Sequence, residues 1–248
     1  MDLNWPFAAT HSDYETQSVP AAQIETLPPQ PYVEIDYAGV PPVTVERYPP
    51  VGADPEVLSK LPRIVGLSGK KRSGKDAAAQ HLVDRYGYTK LSFADPLKRG
   101  CMEFFGFSED QVYGDLKEVV DPFWNATPRA ILQFVGTDLM REQVQETIWV
   151  KRFLREVNAH PERRYVVPDL RFPNECEVIS DVGGAVGRID CNRAIREERN
   201  GRPFTPEQEN HASETALDDY DEFDFRIPNA GTLEDLHHRL VEALVSGA

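Results

Sequence analysis

Residues 69–76, Gly-Lys-Lys-Arg-Ser-Gly-Lys-Asp, have the residue types and spacing of a loop that binds phosphate. Gly69 and Gly74 are separated by four residues, and Lys75 follows the second glycine. Glycine lets the backbone approach a phosphate closely, and the lysine can reach the β- and γ-phosphates of a nucleotide. The next position, which normally carries a hydroxyl for Mg²⁺, is Asp76. Its carboxylate could hold Mg²⁺ directly or through a water, or could merely complement the dipole of a helix that starts there.

The residues around this loop predict the elements that would hold it in place. Arg63–Ser68 predicts a buried strand, and Lys75–Tyr86 has helical spacing. A loop between a strand and a helix directs backbone N–H groups, and the positive end of the helix, towards a bound phosphate. The order of elements therefore supports a nucleotide site at residues 69–76.

Beyond residue 61, short β-rich runs alternate with longer segments of helical spacing. Five strands are predicted, at Arg63–Ser68, Thr89–Phe93, Arg164–Pro168, Ala185–Asp190 and Phe223–Ile227. Six helices are predicted, at Lys75–Tyr86, Pro96–Phe105, Pro128–Gln143, Ile148–Asn158, Pro173–Asp181 and Leu233–Leu244. Thr127 before Pro128, and Thr232 before Asp235, are typical helix starts. This alternation predicts an α/β fold with a mostly parallel sheet of about five strands, covered by helices on both faces.

The first 60 residues differ in composition from the remainder. They contain 10 of the 20 prolines, with nine acidic residues and two basic ones, and so carry half of the formal charge of −14. Proline removes backbone donors and fixes φ, which favours extended or irregular chain. Residues 1–60 are predicted to form a proline-rich acidic arm, irregular in part, with short strands at Tyr32–Asp36 and Val43–Arg47. A loosely ordered arm and an arm for docking or oligomerisation both fit this composition.

The acidic composition limits the partners of the chain. A net charge of −14 argues against non-specific binding to nucleic acid or to an anionic membrane, because both require a basic surface. No apolar run reaches the ~18 residues of a membrane span, and the N-terminus lacks the features of a signal peptide. The three cysteines, Cys101, Cys176 and Cys191, lack metal-ligand spacing and indicate a reducing compartment. The sequence predicts a cytoplasmic protein that binds neither nucleic acid nor membrane.

The second half of the chain favours phosphoryl transfer over nucleotide hydrolysis. The Asn-Lys-x-Asp motif that reads the base in GTPases does not occur in the sequence. Asp169 is followed by Leu170, and not by the glutamate that commonly polarises water in hydrolytic motors. Transfer to a bound acceptor requires positioning and charge neutralisation. Cations that could converge on the phosphates are Lys98, Arg129, Arg141, Arg171, Arg193 and Arg196.

Four regions of the sequence resemble bacteriophage-type deoxynucleoside monophosphate kinases. They are GKKRSGKDAAAQHLVDRYGYTKLSFADPLK (69–98), TPRAILQFVGTDLMRE (127–142), VVPDLRFPNE (166–175) and, within 211–236, HASETALDDY and FDFRIPNAGTLEDL. The resemblance spans about residues 63–245, and members often have Asp at the position of Asp76. It implies a P-loop NTPase-like kinase domain at 61–248, with a helical acceptor-binding insertion at about 94–160 and a mobile lid at about 191–214. It also implies ATP as donor, Mg²⁺ as cofactor, a deoxynucleoside monophosphate as acceptor and, if a phage encodes the protein, the host cytoplasm.

The same resemblance implies a role for each site residue. Residues implied to bind ATP are Gly69, Lys70, Lys71, Arg72, Ser73, Gly74, Lys75, Asp76, Asn229 and Gly231, with Asp76 also at the metal. Residues implied to bind the acceptor are Asp95, Lys98, Arg129, Gln133, Gly136, Thr137, Arg141 and Arg171, with Gly136, Thr137 and Asp138 in a turn. Residues implied to act in transfer are Lys75, Asp169, Arg171, Arg193 and Arg196, the last two closing over the phosphates. His211 and Glu214 are implied to anchor the lid.

Two other functions remain compatible with the sequence. Animal-type phosphomevalonate kinases share a Ser-Gly-Lys-Asp loop, a Pro-Leu-Lys segment and a Phe-Thr-Pro lid element like residues 204–206. A regulatory or scaffold protein would bind ATP without transferring phosphate. The segments FVGTDLMRE and DLRFPNE are closer to the nucleotide kinases, and the arginine-rich lid favours an enzyme. The preferred base and the formation of a homodimer are left open.

Overall fold

The computed structural model describes residues 54–210 and 212–247. The strands predicted at Tyr32–Asp36 and Val43–Arg47, and the implied lid anchor His211, lie outside these residues. None of the helices in the described part of the chain has the length and apolar character needed to cross a membrane.

Five parallel strands form the sheet of the described residues. They are β1 (Ile64–Ser68), β2 (Thr89–Lys90), β3 (Tyr165–Val167), β4 (Ala185–Asp190) and β5 (Phe225–Pro228). Their order is β2-β3-β1-β4-β5, and every neighbouring pair is parallel. Parallel strands need crossover connections, which the intervening helices supply. The predicted parallel sheet of about five strands is confirmed, and each strand begins within two residues of its predicted start.

Helices cover both faces of this sheet. They are α1 (Pro55–Lys60), α2 (Lys75–Tyr86), α3 (Asp95–Phe105), α4 (Glu109–Val112), α5 (Pro128–Gln133), α6 (Ile148–Ala159), α7 (Pro173–Asp181), α8 (Arg193–Asn200), α9 (Pro206–Asn210), α10 (Ala212–Thr215) and α11 (Leu233–Ser246). In β1, Val65 and Leu67 pack with α2 and α11, whereas Ile64 packs on the other face with α6 and α7. Successive strand side chains point to opposite faces, so a strand covered on both sides is apolar throughout.

Two predicted helix starts are confirmed. Thr127 Oγ1 accepts a hydrogen bond from the N–H of Ala130 at 3.2 Å, and this cap opens α5. Thr232 and Asp235 form a reciprocal capping box at the start of α11, with hydrogen bonds of 3.1 and 2.9 Å. Such caps typically contribute about 1 kcal/mol each. Local side-chain chemistry therefore sets where these two helices begin.

The predicted acceptor-binding insertion has a small core of its own. Its buried side chains are Cys101, Phe107, Val112, Ala126, Ile131 and Leu132. The helix predicted at Pro128–Gln143 changes type, because α5 ends at Gln133 and Phe134–Val144 continues as a π-helix. The turn predicted at residues 136–138 is wrong, since these residues lie inside that helix. Gly136 serves packing instead, because a Cβ there would lie 2.6 Å from Leu97 Cδ2 of α3.

Helix α1 packs with the sheet, although its sequence was assigned to the arm. Val57 and Leu58 pack against the core beside α2 and α11. Arg164 donates to the carbonyl oxygen of Leu58 at 3.0 Å and to that of Leu61 at 2.7 Å. The packed unit therefore includes Pro55–Lys60, which lies N-terminal to the boundary predicted after residue 60.

Candidate active site

The loop between β1 and α2 has the backbone shape that its glycines predict. Gly69 and Gly74 have φ angles of 141° and 113°, which side chains rarely adopt. A Cβ on Gly69 would also lie 2.5 Å from the carbonyl oxygen of Ile189 in β4. The loop leads directly into the first turn of α2, whose free N–H groups favour an anion. These features form a phosphate-binding loop.

Lys75 is buried at the start of α2, with its ammonium turned into the loop. Nζ donates to the carbonyl oxygens of Gly69 at 2.6 Å and Lys70 at 2.9 Å. Burial, and then the nearby Arg171 guanidinium, lower the pKa of Lys75 to about 7. A bound phosphate would add negative charge beside this ammonium and favour its protonated form.

Asp76, the candidate metal residue, lies exposed in the same cleft. Its side chain is 82% exposed, and Oδ1 accepts a hydrogen bond from Lys90 Nζ at 2.9 Å. Residues 54–210 and 212–247 contain no group of three side chains of the types that ligate metals. Mg²⁺ commonly binds through one or two carboxylates together with phosphate oxygens and waters. Asp76 therefore fits a Mg²⁺ ion that a nucleotide brings with it.

Asp169 follows β3 and is held in place by three donors. Its carboxylate accepts hydrogen bonds from the backbone N–H of Phe93 at 3.1 Å and of Ala94 at 3.0 Å, and from the hydroxyl of Ser92. These contacts join the carboxyl end of β3 to the segment that enters α3. Asp169 thus has a fixed position between the sheet and the acceptor-binding insertion.

Two adjoining cavities lie beside the loop, at the carboxyl ends of the strands, where open parallel sheets bind ligands. The larger, of 1420 Å³, is lined by Gly74, Lys75 and Asp76 among others. The smaller, of 220 Å³, is lined by residues of α3, α5 and the π-helix among others. Five residues line both cavities and are called the junction here: Lys98, Lys117, Arg129, Asp169 and Arg171. Four of the five are cations, so the passage between the cavities suits phosphate.

Most residues that the resemblance assigned to the acceptor line the smaller cavity. They are Lys98, Arg129, Gln133, Gly136, Thr137, Arg141 and Arg171. Asp95 lies instead in the larger cavity, with a carboxylate oxygen 3.5 Å from the Tyr113 hydroxyl. Flat or apolar side chains complete the smaller cavity: Phe93, Leu97, Leu132 and Trp149. This cavity therefore combines an apolar slot with cations at one end.

Arg141 is already neutralised by a buried carboxylate. The guanidinium, 9% exposed, forms an ion pair with Glu175 and stacks over the Phe172 ring at 4.0 Å. Glu175 also accepts hydrogen bonds from the backbone N–H of Arg171 at 2.7 Å and of Phe172 at 3.2 Å. The interpretation of Arg141 as a second cation for the acceptor needs correction, because Arg141 shapes the cavity wall and fixes the start of α7.

Glu118 and Lys117, which the sequence did not single out, lie at the cleft, where Lys117 lines both cavities and Glu118 lines the larger one. Glu118 Oε1 accepts from Arg129 Nε at 2.6 Å and from Lys71 Nζ at 3.2 Å. Both residues belong to a single 3₁₀ turn, Asp115–Glu118. A short polar turn with alternating charges matches no motif and resembles exposed surface, so only the tertiary structure reveals its position.

Arg193 and Arg196 line neither cavity, although the Arg196 guanidinium donates to the Lys71 carbonyl oxygen of the loop at 3.4 Å. Arg193 is 58% exposed and pairs with Glu197 at 2.9 Å. Arg196 is 5% exposed and pairs with Glu209 at 2.8 Å. The prediction that Arg193 and Arg196 face the phosphates is not met in this structure, because acidic residues of the lid itself neutralise both.

Arg199 and Arg202 line the larger cavity instead. The Arg199 guanidinium lies 3.5 Å from the carbonyl oxygens of Arg72, Ser73 and Asn229. Arginines recur every three residues along α8, so the sequence could not show which of them turns towards the loop. Sequence reasoning therefore missed the arginines of this segment that line the larger cavity.

Of the remaining residues predicted to bind ATP, some line the larger cavity and others support the loop. Those that line the larger cavity, besides the three named above, are Lys71, Arg72, Asn229 and Gly231. Asn229 Nδ2 also donates to the Ser73 carbonyl oxygen at 2.7 Å, which ties the loop to the end of β5. Lys70 Nζ points away, donating to the Glu214 carbonyl oxygen at 2.7 Å and to Asp218 at 2.6 Å.

Glu214, the described member of the implied lid anchor, contacts both the loop and the junction. Its carboxylate accepts from the backbone N–H of Lys71 at 3.2 Å and forms an ion pair with Arg171. A carboxylate thus occupies donors that could otherwise face phosphate.

A parallel sheet, a glycine loop with a buried lysine and a second cavity across a cationic junction define a P-loop kinase, an enzyme that moves a phosphoryl group between bound substrates. Residues 115–240 match the family described as deoxynucleotide monophosphate kinase. The chain belongs to this family, which confirms the resemblance drawn from the sequence and gives no better support to the phosphomevalonate kinases.

Two viral relatives agree with this membership. The chain is 33% identical over 198 residues to a protein of Acanthamoeba polyphaga mimivirus provisionally named a deoxynucleotide monophosphate kinase, covering 73% of this chain and 95% of that protein. It is 23% identical over 250 residues to the deoxynucleotide monophosphate kinase of Enterobacteria phage T4, covering 73% and 98%. Shikimate kinase from Acinetobacter baumannii, solved with shikimate, aligns with a TM-score of 0.46 at 15% identity, covering 77% of this chain and 97% of that one.

Proposed function

We propose that the protein transfers the γ-phosphoryl group of ATP to the phosphate of a deoxynucleoside monophosphate. The observation that carries this proposal is the junction, where the loop cavity and the acceptor cavity meet at Lys98, Lys117, Arg129 and Arg171 around Asp169. Two phosphate-bearing substrates can approach each other there without leaving their own cavities. Membership of the deoxynucleotide monophosphate kinase family supports the same reaction.

The ATP phosphates bind along the loop in this proposal. Backbone N–H groups of the loop and of the first turn of α2 surround the β-phosphate, and Lys75 Nζ exchanges its loop carbonyl partners for phosphate oxygens. Arg199 and Arg202 approach from the lid side of the same cavity. Asn229 acts indirectly by holding the Ser73 carbonyl.

The acceptor base enters the apolar slot of the smaller cavity. Trp149 closes one side and is itself held, because its Nε1 donates to the Gly136 carbonyl oxygen at 3.0 Å. Gln133 and Thr137 place polar groups in the same slot, suited to hydrogen bonds with base edges. A flat base uses this slot better than mevalonate phosphate, which has no ring and carries a carboxylate.

In the transfer step, an oxygen of the acceptor phosphate forms a bond to the γ-phosphorus of ATP. The bond from that phosphorus to the β–γ bridging oxygen breaks, and its electron pair leaves with ADP. Both oxygens carry negative charge, so neutralisation and alignment dominate the catalysis. Arg129 holds the acceptor phosphate, and Lys75 and Arg171 lie on the donor side of the transferred group.

Asp76 is the residue proposed to hold Mg²⁺, and Asp169 is one of the further carboxylates that line the same cavity. When bound with ATP, Mg²⁺ would neutralise charge on the β- and γ-phosphate oxygens. In this proposal the Asp76 carboxylate exchanges its contact with Lys90 for the ion.

A cytoplasmic location, that of the host if a phage encodes the protein, is part of this proposal. The described cysteines Cys101, Cys176 and Cys191 are all free thiols, as expected in a reducing compartment.

A coupled ADP-release assay tests the proposal. The acceptors are the common deoxynucleoside monophosphates, 5-hydroxymethyl-dCMP and mevalonate phosphate, each with ATP and Mg²⁺. We expect turnover with at least one deoxynucleoside monophosphate and little with mevalonate phosphate. Lys75→Ala, prepared identically, should lose at least ~100-fold in turnover and so exclude a contaminating kinase. Turnover with mevalonate phosphate alone would contradict the assignment.

A further inference from the structure

Lys117 differs from the other cations around the junction. Lys71, Arg129 and Arg171 each form an ion pair with a carboxylate. Lys98 lies over the Tyr113 ring at 4.4 Å. Lys117 lines both cavities, yet in the described part of the chain its ammonium forms no ion pair and donates no hydrogen bond. It is a half-buried cation without an internal counter-ion in contact.

The surroundings of Lys117 are strongly positive. Burial, and then Arg129 and Lys98, lower the pKa of Lys117 to about 7. A lysine kept in such a place destabilises the empty site, because like charges repel and burial disfavours the ammonium. An anion between the two cavities would remove both costs.

The backbone that carries Lys117 is held in a hydrogen-bonded turn. Its N–H donates to the Gly114 carbonyl oxygen at 3.4 Å, and the Gly114 N–H donates to that of Asp110 at 3.0 Å. Its neighbour Glu118 holds the other end of the turn between Arg129 and Lys71. The turn thus presents the ammonium to the passage between donor and acceptor.

We propose that Lys117 is a further catalytic residue, whose ammonium contacts the phosphoryl group as it passes from ATP to the acceptor. This inference rests on the proposed function. Negative charge spreads over the oxygens of the transferred group in the transition state, and a cation that lies between the substrates can follow it. Lys75 remains on the donor side and Arg129 on the acceptor side.

Lys117→Met removes the charge and keeps an unbranched side chain. We expect kcat to fall about 100-fold, with both KM values changed less than about fivefold, because the lost contact belongs to the transition state. Lys117→Arg should recover at least tenfold over Lys117→Met, since it restores the charge. Lys151→Met is the matched control, because Lys151 is an exposed lysine on α6 that lines neither cavity.

A bisubstrate probe adds a second readout. A dinucleoside pentaphosphate that joins adenosine to the preferred deoxynucleoside spans both cavities. Lys117→Met should weaken its binding at least ~10-fold, measured by calorimetry, with a melting temperature no lower than that of the wild type. If Lys117→Met does not fold, Lys117→Gln takes its place in every measurement.

A kcat within about threefold of the wild type would overturn the role of Lys117. So would a loss that parallels a lower melting temperature and that arginine does not recover, since this indicates support of the turn alone. A wild-type protein that phosphorylates no deoxynucleoside monophosphate overturns the proposed function instead, and the two failures are therefore distinguishable.

Discussion

The protonation state of Lys75 should affect the affinity of the protein for ATP. Its pKa in the free protein is about 7, lowered by burial and then by Arg171. ATP phosphates would raise this pKa towards its ordinary value, so the complex binds more protons than the free protein above pH 7. ATP binding should therefore be tightest near or below pH 7 and weaken as the pH rises, approaching tenfold per unit for one proton.

Calorimetry in buffers of different ionisation enthalpy measures this proton uptake directly. Wild-type protein titrated with ATP at pH 8 should take up protons, and Lys75→Met should take up fewer. Lys117, whose pKa is also about 7, accounts for uptake that remains in the Lys75 variant. Equal ATP affinity at pH 7 and pH 9, without proton exchange, would show that Lys75 is fully charged in the free protein.

Arg129 and Arg141 both line the smaller cavity, but only Arg129 is proposed to hold the acceptor phosphate. Arg129→Ala removes a cation of the junction and should raise the KM for the acceptor at least ~10-fold, with little change in the KM for ATP. The fold should persist, because Arg129 is only partly buried. Arg85→Ala, an exposed arginine on α2, is the control. An unchanged acceptor KM would place the acceptor phosphate elsewhere.

The start of α7 depends on one buried carboxylate. Glu175 receives two backbone N–H groups and the Arg141 guanidinium, and burial raises its pKa. Glu175→Ala leaves Arg141 buried without its partner and should reduce the free energy of unfolding by about 3 kcal/mol. Urea denaturation measures this loss. Glu177→Ala, an exposed neighbour on the same helix, should change stability by less than about 0.5 kcal/mol.

Elements with strong local signals were predictable, and their mutual orientation was not. Helices α2 and α7 have the predicted bounds. The signals that predict them, such as apolar spacing and the residues at a helix start, lie within the helical segment itself or next to it. Seven of the eight residues that the family resemblance assigned to the acceptor line the smaller cavity. The partner of Arg141 and the position of Lys117 could not be predicted, because both depend on contacts between segments far apart in sequence.

The boundary of the kinase unit can be tested with two truncations. A chain starting at residue 54 should fold and phosphorylate normally, since the composition of residues 1–53 offers little apolar surface. A chain starting at residue 61 loses Val57, Leu58 and a carbonyl partner of Arg164, and should lose about 2 kcal/mol of stability. Thermal melts and the ADP-release assay compare the two. Equal stability would mean that α1 adds nothing to the core.

The junction also affects the stability of the whole protein when no substrate is bound. Arg129 and Arg171 are paired with Glu118 and Glu214, but the Lys117 ammonium has no such partner among the described residues, and its repulsion from Arg129 and Lys98 in the empty cleft opposes the folded state. Any small polyanion that enters should relieve it, so inorganic phosphate or tripolyphosphate should raise the melting temperature. At ten times the dissociation constant this amounts to about 1.4 kcal/mol, or a few degrees for a chain of this size.

The same ions should inhibit the enzyme competitively over the same concentration range, because protection and inhibition come from one site. Lys117→Met should melt higher than the wild type in buffers free of such anions, and gain less from adding them. A preparation stored in phosphate buffer would then have a higher melting temperature and a lower rate of turnover. In this enzyme, the same few charges would favour substrate binding and lower the thermal stability of the empty protein.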